Sequence, residues 1–211
     1  MTDLAKLRDA ILNGDVKTAV AVTKEALAEN TDPLELVTKY MIPAMDEAGR
    51  RFECEEYFVP ELLLAARAMK GSLELIRPLL AASGAQPAGR VVIGTVKGDL
   101  HDIGKNLVAS MLEGGGFEVI DLGADVATER FVAAAREKNA DFVCLSALLT
   151  VTMPGMRTTI HALKNAGLGG QVRVLVGGAP VTQQYADEIG ADGYAPSATA
   201  AVALARRLVA A

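Results

Sequence analysis

The sequence has no tryptophan, and aromatic residues make up only 4% of its 211 residues. Hydrophobic residues still reach 51%, so the core that this chain can bury is aliphatic. Basic residues are not in excess, since 21 Lys and Arg stand against 26 Asp and Glu, for a formal net charge of -5. Binding to nucleic acid or to an anionic membrane surface depends on basic patches, so we expect neither partner.

Cysteine and histidine are also scarce, with two of each. Two cysteines in separate segments do not make a disulfide framework and are typical of a reduced, cytoplasmic protein. The first residues lack the charged and apolar regions of a signal peptide, and no apolar run approaches the roughly 18 residues of a membrane span. So few histidines and cysteines do not assemble the three or four ligands that zinc requires.

Residues 1–81 have the apolar spacing of helices. The segment Asp32-Pro33-Leu34-Glu35 has the residue types of a helix start, and Pro43 predicts a kink or an interruption in the helix that follows. A fourth helix is predicted to begin at Pro60 and to end before Pro78. Four helices joined by short connections predict an N-terminal four-helix bundle.

Small residues at about 82–89 indicate a linker, and beyond it the periodicity alternates between strand and helix. The alternation predicts a flavodoxin-like, five-stranded parallel sheet over residues 90–211, with strand order 2-1-3-4-5. The crevice of such a sheet opens between strands 1 and 3. Strands are predicted at 91–96, 117–121, 141–146, 172–177 and 192–194, with helices near 103–114, 128–138, 155–166, 181–189 and 198–209.

A polar segment, Asp99-Leu100-His101-Asp102-Ile103-Gly104, follows the first strand and precedes a helix. Ligands of α/β sheets bind at such carboxyl ends of strands. A neutral imidazole offers one ring nitrogen to a metal, and Asp99 can accept a hydrogen bond from the other. In the second interpretation Asp99 or Asp102 caps the helix and His101 is a solvated loop residue, and the residue types alone leave both open.

Other kinds of site are less well supported. Ser146, His101 and Asp99 have the residue types of a hydrolase triad, but the G-x-S-x-G turn is missing. A phosphate-binding loop and a G-x-G-x-x-G motif are missing as well. Gly177-Gly178 ends the fourth strand without side chains, which suits the close approach of a large planar ligand.

Three separated motifs resemble the cobalamin-binding signature of base-off, His-on corrinoid proteins. They are Asp99-x-His101-x-x-Gly104, Ser146-x-Leu148 and Gly177-Gly178, and 41 and 28 residues lie between them. The longer string Gly98–Asn106 is similar to the methyl-carrying branch, which includes cobalamin-dependent methionine synthase and the small corrinoid proteins of methanol, methylamine and aromatic-ether demethylation. Phe58–Lys70 resembles the helical cap domain of that branch, so the likeness covers nearly the whole chain.

The resemblance implies a role for each matching residue. His101 would be the axial ligand of cobalt, Asp99 would hydrogen-bond it, and Thr152 would take the third relay place, where methionine synthase has a serine. Ser146 and Thr150 would contact the nucleotide tail of the cofactor. Further contacts are implied for three groups of residues. The loop after the first strand, here called the histidine loop (98–104), would contribute Gly98, Leu100, Asp102, Ile103 and Gly104. The tail channel would be lined by Leu148, Gly177, Gly178, Tyr194 and Ala195, and Phe58 and Leu63 of the cap would cover the upper corrin face.

The implied cofactor is cobalamin or a related corrinoid, which passes through methylcobalamin and the Co(I), Co(II) and Co(III) states. The protein would carry a methyl group from a substrate-specific methyltransferase to a second one that serves an acceptor such as tetrahydrofolate or coenzyme M. A reductive activase is a further candidate partner, and the protein alone would turn nothing over. The sequence does not select among methanol, methylamine, betaine and aryl methyl ethers, because the partner enzyme chooses the donor.

Two alternative functions remain open: a cobalamin-responsive regulator and a corrinoid store. The acidic balance and the lack of a helix-turn-helix with a basic face disfavour the regulator. A mutase is disfavoured because 211 residues leave no room for the barrel that would hold its substrate.

Overall fold

A computed structural model of the chain describes residues 2–210. The chain divides into two compact units. The first runs to Pro87 and includes Glu113–Gly116, and the second comprises Ala88–Leu112 and the residues from Phe117 onward. None of the helices within residues 2–210 combines the length and the apolar character that crossing a membrane would need.

The first unit is helical. Three of its helices begin at an aspartate whose carboxylate accepts a hydrogen bond from a backbone amide of the first turn, namely Asp3, Asp15 and Asp32. Fully buried aliphatic side chains from every long helix form its core, among them Leu7, Met45, Leu62 and Met69. The elements are α1 (Leu4–Leu12), α2 (Val16–Ala28), α3 (Pro33–Glu35), a π-helical segment (Leu36–Met41), α4 (Ile42–Glu53) and α5 (Val59–Ser83).

The irregularity predicted at Pro43 takes the form of the π-helical segment Leu36–Met41, which joins α3 to α4. Proline has no amide hydrogen and so cannot extend the regular α-helical ladder at its position. Ahead of it the amide of Ile42 reaches back five residues, to the carbonyl of Val37. The chain therefore stays helical through Pro43 by widening the turn before it.

The prediction that the fourth helix ends before Pro78 is wrong, because α5 continues to Ser83. Pro78 removes the donor to the carbonyl of Glu74, but both residues are exposed and water can bind that carbonyl. Gly84, in the left-handed conformation with φ 75°, ends the helix instead. The helix thus takes up the first residues of the segment predicted as a linker.

The second unit is a five-stranded parallel sheet with the order β2-β1-β3-β4-β5, so the predicted fold class and strand order are confirmed. Every strand begins one residue from its predicted start. Its elements are β1 (Arg90–Thr95), α6 (Ile103–Gly114), β2 (Glu118–Asp121), α7 (Thr128–Glu137), β3 (Phe142–Ser146), α8 (Pro154–Asn165), β4 (Arg173–Gly177), α9 (Gln183–Ile189), β5 (Gly193–Tyr194) and α10 (Ala198–Val209).

Helices α7, α8 and α9 cover one face of the sheet. Phe131 of α7 and Met156 of α8 are fully buried in one cluster with Val92 and Val143 of the central strands. Strands β1 and β3 are neighbours, with Thr95 paired to Ser146 where both strands end. The loops that follow β1 and β3 therefore leave the same edge of the sheet next to each other. We call this place, where the strand order reverses, the crossover point, and ligands of such sheets bind there.

Candidate functional site

Asp99 joins the two loops at this crossover point. It is fully buried, and both oxygens of its carboxylate accept hydrogen bonds. Its Oδ2 accepts hydrogen bonds from the backbone amides of Leu148 and Leu149, at 2.8 and 3.2 Å, and from Oγ1 of Thr152 at 2.7 Å. Its Oδ1 lies 2.7 Å from Nδ1 of His101 and accepts the His101 amide at 3.1 Å. The β3–α8 loop thus holds one oxygen and the histidine loop holds the other.

Burial and hydrogen bonding act in opposite directions on Asp99. Burial raises the pKa of the carboxyl, but the hydrogen bonds from Thr152, His101 and the Leu148 amide outweigh it and hold the pKa well below its usual range. The side chain is therefore ionised at neutral pH and can only accept hydrogen bonds. Nδ1 of the neutral imidazole must then be the donor, which leaves the lone pair on Nε2.

The imidazole of His101 extends away from this buried carboxylate, and its side chain is 50% exposed. Nε2 has no hydrogen-bond partner among residues 2–210. The backbone is fixed too, because Oγ1 of the buried Thr95 donates to the His101 carbonyl at 2.9 Å. One ring nitrogen is anchored and the other is presented to a ligand, as in a metal-binding histidine with a carboxylate behind it.

The surroundings of His101 fit a large apolar, planar group such as a corrin ring. Leu100 and Ile103 are 75% and 78% exposed, although aliphatic side chains of this size are usually covered. A Cβ atom placed on Gly104 would meet no atom within 4 Å, and its backbone conformation does not demand glycine. The side chain missing there leaves room for a group from outside the chain.

The carboxyl ends of β4 and β5 also lie close to the β3 loop. A Cβ on Gly178, whose φ is +131°, would lie 1.9 Å from the carbonyl oxygen of Ala147, so the backbone itself requires glycine there. A Cβ on Gly177 would meet the Ala195 carbonyl at 3.4 Å, an ordinary contact. Only one of the two glycines is therefore required by the fold.

The structure brings the predicted relay residues Asp99, His101 and Thr152 into direct contact. Ser146 lies at the end of β3, where its carbonyl accepts the amide of Val96 at 3.0 Å, and Thr150 lies in the exposed turn that follows. The roles given to the remaining residues stay predictions. Tyr194 and Ala195 lie at the end of β5, and Phe58 and Leu63 are exposed side chains of the helical unit, at the start of α5.

Sequence reasoning missed four side chains that hold the histidine loop: Thr95, Lys105, Asp121 and Asp125. Nζ of the buried Lys105 lies 2.7 Å from Oδ1 of Asp121, and Oδ1 of Asp125 accepts the Gly98 amide at 2.8 Å. Lys105 lies within the string Gly98–Asn106 that resembles the methyl-carrying branch, so the sequence did contain a signal for this residue. Asp121 and Asp125 belong to another segment of the chain, and no local pattern marks them.

The described residues offer no group of three or more His, Cys, Asp or Glu side chains that could hold a metal ion by themselves. Cys144 is buried in β3, where burial raises the pKa of its thiol to about 12 and keeps it protonated. A metal at His101 would therefore take its other ligands from outside residues 2–210.

Comparison with known protein families gives matches over most of the chain. The family described as B12 binding domain matches residues 89–203, and a second family with the same description matches residues 4–77. Trimethylamine corrinoid protein 1 of Methanosarcina mazei is 46% identical over 198 residues, which are 93% of this chain and 92% of that protein. The dimethylamine corrinoid protein of Methanosarcina barkeri is 45% identical, over 98% of this chain and 97% of its own length.

Two solved structures of cobalamin proteins also match nearly the whole chain. The methanol:cobalamin methyltransferase complex MtaBC of Methanosarcina barkeri matches with a TM-score of 0.86 and 28% identity, over 98% of this chain and 80% of that one. A cobalamin-binding protein of Desulfitobacterium hafniense matches with a TM-score of 0.78 and 33% identity, over 98% of both chains.

Proposed function

The chain belongs to the B12 binding domain family of corrinoid proteins, and from this premise we propose that it carries a methyl group on a bound corrinoid between two methyltransferases. Its cofactor is cobalamin or a related corrinoid. The observation that carries the proposal is the Asp99–His101–Thr152 relay, which presents Nε2 of His101 at the crossover point of the sheet. The bound corrinoid would supply the chemistry, because its cobalt is the atom on which the methyl group is carried.

The protein's own part would be to present one ring nitrogen of His101 to the cofactor. With Nδ1 held by the ionised Asp99, the lone pair of His101 lies on Nε2, where it can bind cobalt. A proton that reaches the pair also settles on Nε2, because the low pKa of Asp99 keeps the carboxylate ionised. Protonation and metal binding would therefore compete for one atom, Nε2 of His101.

The relatives indicate which methyl donors to test. Two of them are named for trimethylamine and dimethylamine, and the MtaBC complex is a methanol methyltransferase. We propose a methylamine or methanol as the donor class, with a substrate-specific methyltransferase as the first partner. A second methyltransferase would pass the group to coenzyme M or tetrahydrofolate, a reductive activase would restore the reduced cofactor, and all would act in the cytoplasm.

The remaining contacts are part of the same proposal. The nucleotide tail would enter between the ends of β1, β3 and β4, past Ser146, Thr150 and Gly177. Phe58 and Leu63 are large apolar side chains at 64% and 39% exposure, and we propose that they shield the upper corrin face.

Replacing His101 tests the metal ligand directly. The apoprotein loaded with cobalamin should give a base-off, His-on absorption spectrum and, in the Co(II) state, nitrogen splitting in the EPR signal. His101→Ala should weaken cobalamin binding about ten- to a hundredfold, and when it is loaded with cobinamide, which has no nitrogen base of its own, the nitrogen splitting seen with wild type should be absent. His161→Ala, which removes the exposed histidine in α8, is the matched control and should behave like wild type. Nitrogen splitting that survives in His101→Ala loaded with cobinamide would refute the ligand assignment.

Transfer assays separate a carrier from a store. The reduced holoprotein is mixed with a purified trimethylamine, dimethylamine, monomethylamine or methanol corrinoid methyltransferase and its substrate, and the cofactor spectrum is followed. A carrier is methylated only when the matching enzyme and substrate are both present. Tight cobalamin binding without methylation by any of the four enzymes would favour a corrinoid store.

A further inference from the structure

Asp125, in the loop between β2 and α7, forms two backbone-directed hydrogen bonds to the start of the histidine loop. Its Oδ1 accepts the amide of Gly98 at 2.8 Å, and its own amide donates to the carbonyl of Asp99 at 2.9 Å. Asp125 itself adopts the left-handed conformation, with φ 54°, which aspartate tolerates better than most residues. One residue in this conformation thus holds the amide of Gly98 and the carbonyl of Asp99, both ahead of His101.

The end of β2 holds the other side of the same loop. Lys105 is 3% exposed, and its Nζ contacts both carboxylate oxygens of Asp121, at 2.7 and 2.5 Å. The same Nζ donates to Oδ1 of Asn106, whose Nδ2 donates to Asp102 Oδ2 at 3.0 Å. A chain of polar contacts therefore runs from the last residue of β2 to Asp102, the residue that follows His101.

None of these hydrogen bonds reaches the imidazole, so their effect on His101 is indirect. A loop of this kind loses conformational entropy when it is ordered by a ligand, and that loss weakens binding. If the protein has already ordered the loop before the ligand binds, the imidazole is in its final position and this entropy loss does not weaken binding. The contacts at both ends keep the peptide groups of Gly98 and Asp99 and the side chain of Lys105 fixed.

We infer that Asp125 and Asp121 are positioning residues that brace the two ends of the histidine loop and so preset the place of Nε2 of His101. The inference rests on the proposed function, because the place of Nε2 matters only if His101 binds cobalt. Asp125 acts on the side of Asp99, and Asp121 acts through Lys105 on the first turn of α6.

Asp125 also forms an ion pair with Lys97, in which Oδ2 of Asp125 lies 3.0 Å from Nζ of Lys97. The side chains of Lys97 and Asp125 are 65% and 39% exposed, so the ion pair is screened and weak. The bond to the Gly98 amide is the one that shapes the loop. Lys97→Met removes the ion pair and leaves that bond intact, which makes it the control for charge.

Two substitutions at Asp125 separate its side chain from its backbone. Asp125→Gly accepts the left-handed conformation and keeps the amide that donates to Asp99, but it removes the acceptor for Gly98. Asp125→Asn keeps an acceptor oxygen and also tolerates that conformation. If the side chain of Asp125 did not hold Gly98, the two variants would bind cobalamin equally well. If it does, Asp125→Asn should keep the wild-type position of His101 and Asp125→Gly should lose it.

The experiment measures three properties of the full chain: hydrogen exchange of the Gly98 and His101 amides in the apoprotein, the Kd for methylcobalamin, and the His-on fraction of bound Co(II)cobalamin by EPR. For Asp125→Gly we expect about tenfold faster exchange at Gly98, about tenfold weaker binding and a lower His-on fraction. Asp125→Asn and Lys97→Met should lie close to wild type. Asp121→Asn should speed exchange at 105–106 and lower the His-on fraction in the same way.

A wild-type exchange rate and His-on fraction in Asp125→Gly would overturn the brace. The thermal unfolding midpoint of each apoprotein shows whether the variant is folded, and Asp121→Asn, which leaves Asp125 and its hydrogen bonds in place, decides on the brace if Asp125→Gly is not folded. Failure of the proposed function is a different result, since wild type itself would then lack the His-on signal. The exchange rate at Gly98 in the apoprotein still decides on the brace in that case.

Discussion

Thr152 has one hydroxyl proton and two acceptors within reach, Asp99 Oδ2 at 2.7 Å and the Leu149 carbonyl at 2.8 Å. The ionised carboxylate is the stronger acceptor, so the proton goes to Asp99. The hydroxyl therefore supports the low pKa of Asp99 and, through it, the orientation of His101.

We expect Thr152→Val to remove this donor and to raise the pKa of Asp99 toward its usual range. The free energy of unfolding of the apoprotein should fall by about 1–3 kcal/mol, because a buried charge loses a hydrogen bond. Urea unfolding measures it, with Thr158→Val as the control, since Thr158 donates only to the exposed Pro154 carbonyl. Equal losses in the two variants would show that Thr152 contributes nothing special.

Gly104 lies in the first turn of α6, and the chain itself leaves space for a side chain there. Gly104→Ala should keep or increase the stability of the apoprotein by up to about 1 kcal/mol, because alanine favours the helix. The same methyl group should weaken cobalamin binding at least about tenfold, since it would occupy space that the ring needs.

Thermal unfolding and cobalamin titration together test this prediction. Ser110→Ala, farther along α6, is the control that changes helix propensity without facing the loop. Unchanged cobalamin affinity in Gly104→Ala would mean that the ring does not approach Gly104.

The two glycines at the end of β4 differ in what the fold requires of them, because only Gly178 lies too close to the β3 loop for a side chain. Gly178→Ala would place a methyl group against the Ala147 carbonyl in a conformation that alanine avoids, so we expect a loss of about 3 kcal/mol or more in the free energy of unfolding. Gly177→Ala should leave the apoprotein nearly as stable as wild type.

The same pair of variants tests the tail channel. If the end of β4 lines that channel, Gly177→Ala should weaken the binding of cobalamin more than that of cobinamide, which lacks the nucleotide tail. Equal effects on both ligands would place the tail elsewhere.

Strand and helix boundaries followed from the sequence because buried strands carry apolar, β-branched runs between glycines and polar turns. The strands β1 and β3 are examples, and each begins one residue from its predicted start. The end of α5 did not follow, because the effect of Pro78 depends on whether the freed carbonyl is exposed, and exposure is a property of the fold. Asp99 and His101 were predictable from a local motif.

The brace at Asp125 was not predictable, because it joins residues 27 positions apart in the sequence. Its geometry depends on a left-handed residue in a loop that carries no glycine at that point. The sequence therefore indicated the contact between Asp99 and His101 better than it indicated the side chains that hold their loop.

Across the whole molecule, carboxyl groups in both units have a pKa that folding lowers. Hydrogen bonds from Arg50 and Arg51 lower the pKa of Glu47 to about 2, and Asp15, Asp99 and Asp125 shift in the same direction. The unfolded chain then binds more protons than the folded one at pH values near the ordinary carboxyl pKa of about 4. This contribution to stability is complete above about pH 5 and is lost as the pH falls.

We therefore expect the urea midpoint of the apoprotein to be level between pH 7 and about pH 5 and to drop steeply between about pH 5 and pH 2. The buried Asp99 should account for on the order of 2 kcal/mol of this drop, so Asp99→Asn should flatten the curve. Glu137→Gln, on an exposed surface, should leave its shape almost unchanged. A midpoint that does not change between pH 5 and pH 3 would contradict the assignment.

The site offers a metal a single nitrogen, and this has a consequence for how the protein is loaded in a cell. Zinc and copper ions are held tightly only where several donors surround them, and no such set exists among residues 2–210. A lone imidazole would retain such ions weakly, whereas a corrinoid would bring its metal with the other ligands already in place. A metal ion free in solution should therefore bind His101 of the apoprotein weakly, and a metal held in a macrocycle would need from the chain only the one nitrogen that His101 offers.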